Sequence, residues 1–241
     1  MSHFDFELKT EDGLKLYGQG WEPDGGTKAV VCLVHGLGEH CGRYDHMAKA
    51  FNQNQYALLS FDLRGHGRSE GRRGHAPNYT LLMSDIEKLL NEAAVRYPDL
   101  PCFLYGHSLG GNLALHYVLK QRPSLVGIIA SAPLLRLAYK PSVWKSGILR
   151  GMQAIRFNLS MPSGLDDSAL SRDMNVVRTY RNDPLTHDLI SARLAMDMLR
   201  YGQWNLNHAA EFPLPLLLMH GEADRITSAT ATAEFAKKVD R

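Results

Sequence analysis

A serine with a glycine two positions before it and another two positions after it is the strongest chemical signal in the chain. This serine, Ser108, follows an apolar run at 102–105 and precedes residues with helical spacing at 113–120. A G-x-S-x-G turn between a strand and a helix places a serine hydroxyl on a tight, exposed bend. Aligned peptide dipoles at the start of the following helix favour negative charge there. We therefore predict a serine hydrolase whose nucleophile lies in Gly106-His107-Ser108-Leu109-Gly110.

A second glycine-containing loop, 35–40, follows the apolar run 29–34 and is placed to stabilise the charge that such a serine generates. Acyl transfer to serine creates an oxyanion, which two backbone N–H groups hold in sites of this type. One donor belongs to the residue after the nucleophile, Leu109, and Leu37 is the candidate for the other. Glycines on both sides of Leu37 allow the backbone to turn its N–H toward the substrate carbonyl. His35 is interpreted as a brace for this loop.

The third position is an acid that follows the apolar run 214–219. A carboxylate at a strand end orients the imidazole of a catalytic triad, and the chain order in such sites is serine, acid, histidine. Asp224 is the predicted acid and Glu222 is its rival. His220, four residues before Asp224, is interpreted as structural.

The triad base does not follow the acid in this sequence. Eleven histidines are present, and none lies between Asp224 and Arg241. The favoured explanation is a truncated version of a longer protein, without the last strand, the loop that carries the base and a closing helix. The alternative is a base from an unusual place, such as His187 or His208. If these residues are all there is, we predict activity far below that of an intact triad.

The elements that must position these residues alternate along the chain. Almost wholly apolar runs occur at 29–34, 56–61, 102–105, 125–130 and 214–219, and helical spacing occurs at 44–52, 81–95, 113–120 and 229–239. Such alternation predicts an α/β protein with a mostly parallel, doubly wound sheet. Alternating residues on both sides of the turn at 11–13 predict an N-terminal antiparallel hairpin.

Residues 134–212 break this alternation, because they contain no buried strand run. A stretch of this length needs structure of its own, so we predict a helical cap or lid inserted into the core. The core then consists of residues 1–133 and 213–241. Apolar residues of the insertion could line an acyl tunnel or touch a lipid surface, although most are expected to pack the cap: Val143, Trp144, Ile148, Leu149, Met152, Ile155, Phe157 and Leu159.

The loop after the run 56–61 carries Asp62 and His66 among several charged residues. We interpret both side chains as organising this loop beside the active-site face, with no part in the chemistry.

Composition excludes several classes of protein. A formal net charge of +2, with basic and acidic residues intermixed, gives no nucleic-acid footprint. No basic and apolar leader opens the chain, and no stretch approaches the roughly 18 apolar residues of a membrane span. The three cysteines have no metal-ligand spacing and favour a reducing cytoplasm. Acyl transfer by serine also requires no metal or organic cofactor.

Together these motifs resemble those of monoacylglycerol lipases and lysophospholipase-like enzymes. The resemblance rests on His35-Gly36-x-Gly38-Glu39-His40 with Arg43-Tyr44, on Gly65-His66-Gly67-x-Ser69-Glu70-Gly71, on Gly106-His107-Ser108-x-Gly110-Gly111, and on Gly221-x-Ala223-Asp224. It continues through the insertion at Leu170-Ser171-Arg172 and Asn182-Asp183-Pro184-Leu185.

This resemblance implies an α/β-hydrolase fold and the cleavage of one fatty acyl chain from a glycerol-type head group. It implies the same roles for Ser108 and Asp224, and it places Glu39 and Arg43 near the polar head-group end of the pocket. Arg43 fits equally well as an ion-pair partner of Glu39 that holds the loop. The implied partner is a small lipid, with transient contact between the cap and a membrane surface.

Two alternatives stay open at this stage. One is a short-chain carboxylesterase or an aminopeptidase of the same fold, which would use the same nucleophile on a different substrate. The other is a non-catalytic lipid-binding relative, which only the missing histidine supports.

Overall fold

The computed structural model describes residues 1–139 and 159–239. Nine strands lie in these ranges: β1 Ser2–Lys9, β2 Lys15–Glu22, β3 Ala29–Val34, β4 Tyr56–Phe61, β5 Cys102–His107, β6 Gly127–Ser131, β7 Ser160–Pro162, β8 Leu189–Ser191 and β9 Leu216–Met219. The helices of the described ranges are α1 Asp45–Gln53, α2 Tyr79–Arg96, α3 Leu109–Gln121, α4 Met174–Asn182, α5 Ala192–Asn207 and α6 Ala229–Val239. None of the described helices is both long and apolar enough to cross a membrane.

The main sheet has seven strands in the order β1-β2-β4-β3-β5-β6-β9. The first hairpin is antiparallel, and β2 also pairs antiparallel with β4. The remaining neighbours pair in parallel. This arrangement confirms the predicted mostly parallel sheet with an N-terminal antiparallel hairpin.

Helices cover both faces of the sheet, which explains the apolar runs. Strand β3 is buried along its whole length because side chains on both of its faces pack against other layers. One face packs around α1, with Trp21 and Leu58 in its core. The other face packs against α2, α3 and α5, with Leu113 and Leu194 among the buried residues. Helix α6 joins this second layer through Phe235, which is fully buried.

The described part of the insertion is only partly helical. Helices α4 and α5 agree with the predicted cap, but the two three-residue strands β7 and β8 also pair in an antiparallel ladder. Strands this short carry no alternation that a sequence pattern could reveal. Helix α5 packs into the main core through Leu194 and Met198. The boundaries of the cap at 134 and 212 stay a prediction, and the apolar residues at 143–157 lie outside the described residues.

Candidate active site

Ser108 lies in a strained turn between β5 and α3. Its backbone has φ 52° and ψ −112°, a conformation that residues other than glycine seldom adopt. Hydrogen bonds hold this conformation on both sides of the residue. The Ser108 N–H donates to Ser131 O at 2.9 Å, and the Ser108 carbonyl accepts from the N–H groups of Asn112 and Leu134 at 3.0 Å. The surrounding backbone therefore fixes where the serine is presented.

The glycines of the turn are required by close backbone contacts. A Cβ atom added to Gly110 would lie 2.0 Å from Val34 O, and one added to Gly106 would lie 2.2 Å from Gly110 O. No real Cβ tolerates such distances, and both obstacles are backbone atoms that have no room to move. The G-x-S-x-G spacing thus allows β5, α3 and the end of β3 to meet at the serine.

The loop 35–40 lies directly beside this turn. A Cβ atom on Gly36 would be 3.3 Å from the Ser108 Cβ, so this loop passes close to the serine side chain. His35 is fully buried, and its two ring nitrogens contact Gly36 O at 2.7 Å and Leu63 N at 2.9 Å. Because Nε2 must accept from the Leu63 N–H, Nδ1 carries the proton and the ring is neutral. Burial also lowers the pKa of His35. The interpretation of His35 as a brace is confirmed.

Asp62 fixes the neighbouring loop through its carboxylate. Its two oxygens accept from the N–H groups of Cys41 and Arg68, each at 2.7 Å. A Cβ atom on Gly67 would lie 2.0 Å from one of these oxygens, so glycine is needed for the loop to wrap around the carboxylate. His66 contacts the Arg64 carbonyl at 3.0 Å and is buried. Both side chains organise the loop, as the sequence indicated.

The two predicted oxyanion donors flank the serine. Leu109 is the first residue of α3, directly after Ser108, and Leu37 lies in the adjoining loop. The N–H of Gly36 already donates to the Glu39 carboxylate at 2.7 Å. The next N–H along this loop is that of Leu37. The roles of Leu37 and Leu109 stay a prediction.

Glu39 and Arg43 are paired within the loop, at 3.2 Å between Arg43 Nε and Glu39 Oε2. The other Glu39 oxygen accepts from the Tyr44 hydroxyl at 2.9 Å. Burial would raise the pKa of Glu39, but nearby imidazoles, the Gly36 N–H and Arg43 together hold it below its usual range. The Arg43 guanidinium also lies 5.0 Å from the centre of the Tyr180 ring in α4. The pair therefore joins the loop to the insertion, and its contact with substrate stays a prediction.

Asp224 lies in the turn between β9 and α6, where the chain surrounds its carboxylate with donors. One oxygen accepts from the N–H groups of Ile226 and Thr227, at 2.7 and 2.9 Å. The other accepts from the Thr227 hydroxyl at 2.7 Å and lies 3.3 Å from His220 Nε2. Burial would raise the pKa of Asp224, but these hydrogen bonds outweigh it and hold the pKa far below its usual range. Asp224 is thus ionised throughout the neutral range.

The carboxyl ends of β5, β6 and β9 bring Ser108 and Asp224 to the same edge of the sheet. Strand β6 lies between the other two and is joined to both at its end. The Ser108 N–H donates to Ser131 O, and the Ala132 N–H donates to Met219 O at 2.7 Å. Residues that follow neighbouring parallel strands meet at one edge of the sheet, which is where α/β folds place ligands.

The two histidines considered as substitute bases have other partners. His187 contacts the Gly65 carbonyl through Nε2 at 3.1 Å, and its Nδ1 accepts from the Leu189 N–H at 3.2 Å. His208 stacks on Trp204 with ring centres 3.8 Å apart. Within residues 1–139 and 159–239, no histidine donates to or accepts from the Ser108 hydroxyl. In the same ranges, no cluster of three or more metal-binding side chains could hold an ion.

Comparison with known proteins decides the family. The family model described as serine aminopeptidase, S33, matches residues 25–241. Monoacylglycerol lipase of Mycolicibacterium smegmatis is 32% identical over 215 residues, which are 89% of this chain and 76% of that protein. A solved structure of Paleococcus ferrophilus monoacylglycerol lipase superposes with a TM-score of 0.83 at 32% identity, covering 92% of this chain and 84% of that one.

The chain belongs to the monoacylglycerol lipase-like α/β-hydrolases. Its fold is the α/β-hydrolase fold, as the motifs implied. An uncharacterized abhydrolase domain-containing protein of Dictyostelium discoideum is also 36% identical over 233 residues, which are 96% of this chain. The chain spans only 24% of the length of that protein.

Sequence reasoning missed several contacts that shape the site of this hydrolase. The sequence marked His220 as structural but not as a neighbour of Asp224, and it gave no sign that the opposite ring nitrogen, Nδ1, lies 2.8 Å from the Thr232 hydroxyl. It also did not indicate that the Tyr180 hydroxyl donates to Gly38 O at 3.1 Å. The four-residue spacing of His220 and Asp224 could have suggested the first contact. No local pattern could have suggested the Tyr180 contact, because Tyr180 and Gly38 are distant in sequence.

Proposed function

We propose that this protein hydrolyses the carboxylic ester of a monoacylglycerol or of a lysophospholipid-type lipid, through an acyl-enzyme on Ser108. The observation that carries the proposal is the strained turn at Ser108, because backbone strain of this kind clusters at active sites and persists only where the surrounding structure enforces it. The relatives named above support the substrate class, since two of them are monoacylglycerol lipases.

The chemistry follows from the positions around the turn. The Ser108 hydroxyl attacks the ester carbonyl, and the N–H groups of Leu37 and Leu109 stabilise the resulting oxyanion. Asp224 is the acid that orients an imidazole and stabilises its protonated form. The glycerol-type alcohol then leaves, and water releases the fatty acid from Ser108. These steps require an imidazole between Ser108 and Asp224, and without one the turnover of these 241 residues falls by orders of magnitude.

Glu39 and Arg43 are proposed to line the polar head-group end of the pocket. Two features support this placement. Their loop lies beside Ser108, and Gly36 of this loop is close to both Glu39 and Ser108. Both side chains are largely buried, with 13% and 20% of their surfaces exposed, so a head group would meet them at one edge only.

We further propose a transient contact between the insertion and a membrane surface, in a protein of the cytoplasm. Five large apolar side chains of the described part of the insertion are exposed: Tyr139 at 46%, Leu159 at 60%, Leu170 at 45%, Met174 at 50% and Val176 at 41%. Apolar side chains gain free energy when they enter the boundary between head groups and acyl chains. The free thiols Cys32, Cys41 and Cys102 support a reducing compartment.

If the insertion contacts a membrane, vesicle binding should be lost when its exposed apolar surface becomes charged. Replacing both Leu170 and Met174 by aspartate should weaken cosedimentation with phosphatidylcholine–phosphatidylglycerol vesicles by about tenfold, because two apolar contacts are lost. The control is Val95→Asp on α2, since Val95 is 79% exposed but lies outside the insertion. Equal binding by the control and the double variant would contradict this contact.

A second candidate function has one specific observation in its favour. The matching family model is described as a serine aminopeptidase, so an amide substrate deserves a direct comparison. A non-catalytic lipid-binding relative is the third reading. It would be favoured by a well-folded, full-length protein in which a fluorophosphonate leaves Ser108 unmodified.

A substrate panel tests the proposed function. We expect monooleoylglycerol and lysophosphatidylcholine to be hydrolysed faster than p-nitrophenyl acetate or butyrate, and aminoacyl amides to be the poorest substrates. Each rate is corrected by that of Ser108→Ala, which also removes spontaneous hydrolysis from the comparison. Long-chain esters that react no faster than acetyl or butyryl esters would overturn the lipase assignment, and faster cleavage of the amides would favour the aminopeptidase.

A further inference from the structure

Two of the free cysteines form a close pair outside the active site. Cys32 of β3 and Cys102 of β5 have their Sγ atoms 3.9 Å apart. The strands are neighbours whose register pairs Val30 with Cys102 and Cys32 with Leu104, so the cysteines are diagonal neighbours on one face. Both pack against the same core cluster. Nothing in the proposed hydrolysis uses either thiol.

The two thiols differ in access and in acidity. Cys32 is fully buried, whereas Cys102 is only partly buried. A hydrogen bond from the Cys32 thiol favours the Cys102 thiolate and lowers the pKa of Cys102 despite its burial. The same contact, together with burial, raises the pKa of Cys32. Since the thiolate is the reactive form, Cys102 is the thiol that an oxidant meets first.

A cavity of about 300 Å³ opens beside Cys102, between α2 and the start of β5. Its lining is about equally polar and apolar, and the apolar part includes Val30, Leu90, Ala93 and Leu100. Glu87 and Asp99 also line it, and their charges disfavour an anionic occupant. A small neutral molecule with an apolar body matches this cavity, whose volume is at the lower end of the range for ligand pockets.

We propose that Cys102 and Cys32 form an oxidation site that takes a neutral organic hydroperoxide and closes to a disulfide. The Cys102 thiolate attacks the terminal hydroperoxide oxygen and breaks the O–O bond, which yields Cys102 sulfenic acid and an alkoxide. The alkoxide takes from water the proton that the Cys102 thiol released to it, and leaves as the alcohol. The Cys32 sulfur then attacks the Cys102 sulfur, forms the S–S bond and releases the hydroxyl group as water with the Cys32 proton. One hydroperoxide is reduced and two thiols are oxidised, so atoms and electrons balance.

Cys41 provides an internal reference for this reaction. It is fully buried, and burial beside Asp62 raises its pKa well above the usual value. No other cysteine is present in the sequence to compete with the pair. Site-selective oxidation of Cys102 and Cys32, with Cys41 left reduced, therefore distinguishes the proposed pair from general oxidation of exposed or unfolded protein.

The test treats the folded 241-residue protein with cumene hydroperoxide or with hydrogen peroxide, then alkylates the remaining thiols and maps the peptides by mass. We expect a peptide pair joined through Cys32 and Cys102, formed at least about tenfold faster than any modification of Cys41. Cumene hydroperoxide should be faster than hydrogen peroxide because its aromatic ring can pack against the apolar part of the cavity lining, which includes Leu90 and Leu100. Equal rates with the two oxidants would overturn the choice of an organic hydroperoxide, and equal oxidation of all three cysteines would overturn the site.

Variants separate the two steps. In Cys32→Ala, Cys102 should accumulate as a sulfenic acid that dimedone traps, and in Cys102→Ala, Cys32 should stay reduced. Cys41→Ala is the control and should form the cross-link at the unaltered rate. Unfolding curves establish that each variant is folded, and the mapping of the unsubstituted protein is decisive even if one variant is not. Rapid oxidation of Cys32 in Cys102→Ala would contradict the proposed order.

Discussion

Ser108→Ala should abolish covalent labelling by a fluorophosphonate and any ester turnover that passes through an acyl-enzyme. The substitution removes the only atom of this residue that can form an acyl-enzyme. The strained backbone at φ 52° is held by hydrogen bonds to backbone groups, so the turn does not depend on the hydroxyl. Mass spectrometry of the labelled protein measures the effect directly.

A neighbouring serine supplies the matched control. Ser131 lies at the end of β6, and its hydroxyl is 3.2 Å from His107 Nδ1. The Ser108 N–H contacts only the backbone oxygen of Ser131, not its hydroxyl. Ser131→Ala should therefore retain labelling at Ser108. Labelling of Ser108→Ala at the rate of the unsubstituted protein would show that another residue is the nucleophile.

The same labelling assay separates the roles of the two acids near β9. Imidazole added to the solution should accelerate labelling, because it can take the proton from the Ser108 hydroxyl. Asp224→Asn should lose this acceleration if Asp224 orients the ring, whereas Glu222→Gln should keep it. The reverse result would assign the acid to Glu222.

The pH dependence of this acceleration follows from the lowered pKa of Asp224. A carboxylate with a depressed pKa keeps its charge above the unfolded value of about 3.9 and loses it only as the pH falls through the lower, folded value. Asp224 should thus give no inflection between about pH 5 and 9, where the rate should follow the deprotonation of imidazole. An inflection near pH 4–6 in Asp224-dependent labelling would contradict the hydrogen-bonded environment seen here.

How much of this site could be read from the sequence depended on distance along the chain. Ser108, its glycines and the flanking strand and helix are adjacent in sequence, so their pattern predicted the turn. The fold likewise followed from the apolar runs. A short run that is apolar on both faces, such as β3, is typical of a strand in a parallel sheet that is covered on both sides. The start of helix α3 was predicted less well. The helix begins at Leu109, whereas the apolar spacing begins only at Leu113, because Gly110 and Gly111 give no helical pattern.

Contacts between distant segments could not be predicted in this way. His40 of the loop 35–40 lies 2.8 Å from Asp183 of the insertion, and Arg43, which follows this loop, packs over Tyr180. Each of these side chains alone resembles an ordinary surface residue. Their pairing depends on how the insertion packs over the sheet edge. No local pattern in the sequence indicates this packing.

Asp85→Ala should produce the largest loss of stability outside the site, a decrease of about 3–5 kcal/mol in the free energy of unfolding. Asp85 is fully buried in α2 and holds the guanidinium of Arg64 with two hydrogen bonds, at 2.7 and 2.8 Å. Arg64 is itself only 1% exposed. Removing the carboxylate would leave the buried Arg64 cation with only the partly exposed Asp12 carboxylate to balance it. Urea unfolding followed by circular dichroism measures the change.

Asp12 is the matched control, because it binds the same guanidinium from the surface. Its carboxylate lies 2.9 Å from Arg64 Nη1 and is 34% exposed. Asp12→Ala should therefore cost about 1 kcal/mol or less. Equal losses for Asp12→Ala and Asp85→Ala would show that burial does not set the strength of this pair.

A double variant separates the loss of attraction from the cost of an unpaired charge. Replacing Arg64 by methionine together with Asp85 by leucine removes both charges, and it should recover most of the stability that Asp85→Ala loses. Recovery would mean that the pair is needed because each charge requires the other. Arg64 also lies between Leu63, whose N–H contacts His35, and the Gly65 turn. A cation without its buried partner would therefore disturb the contact between Leu63 and His35, so Asp85→Ala should slow labelling of Ser108 while the double variant restores it.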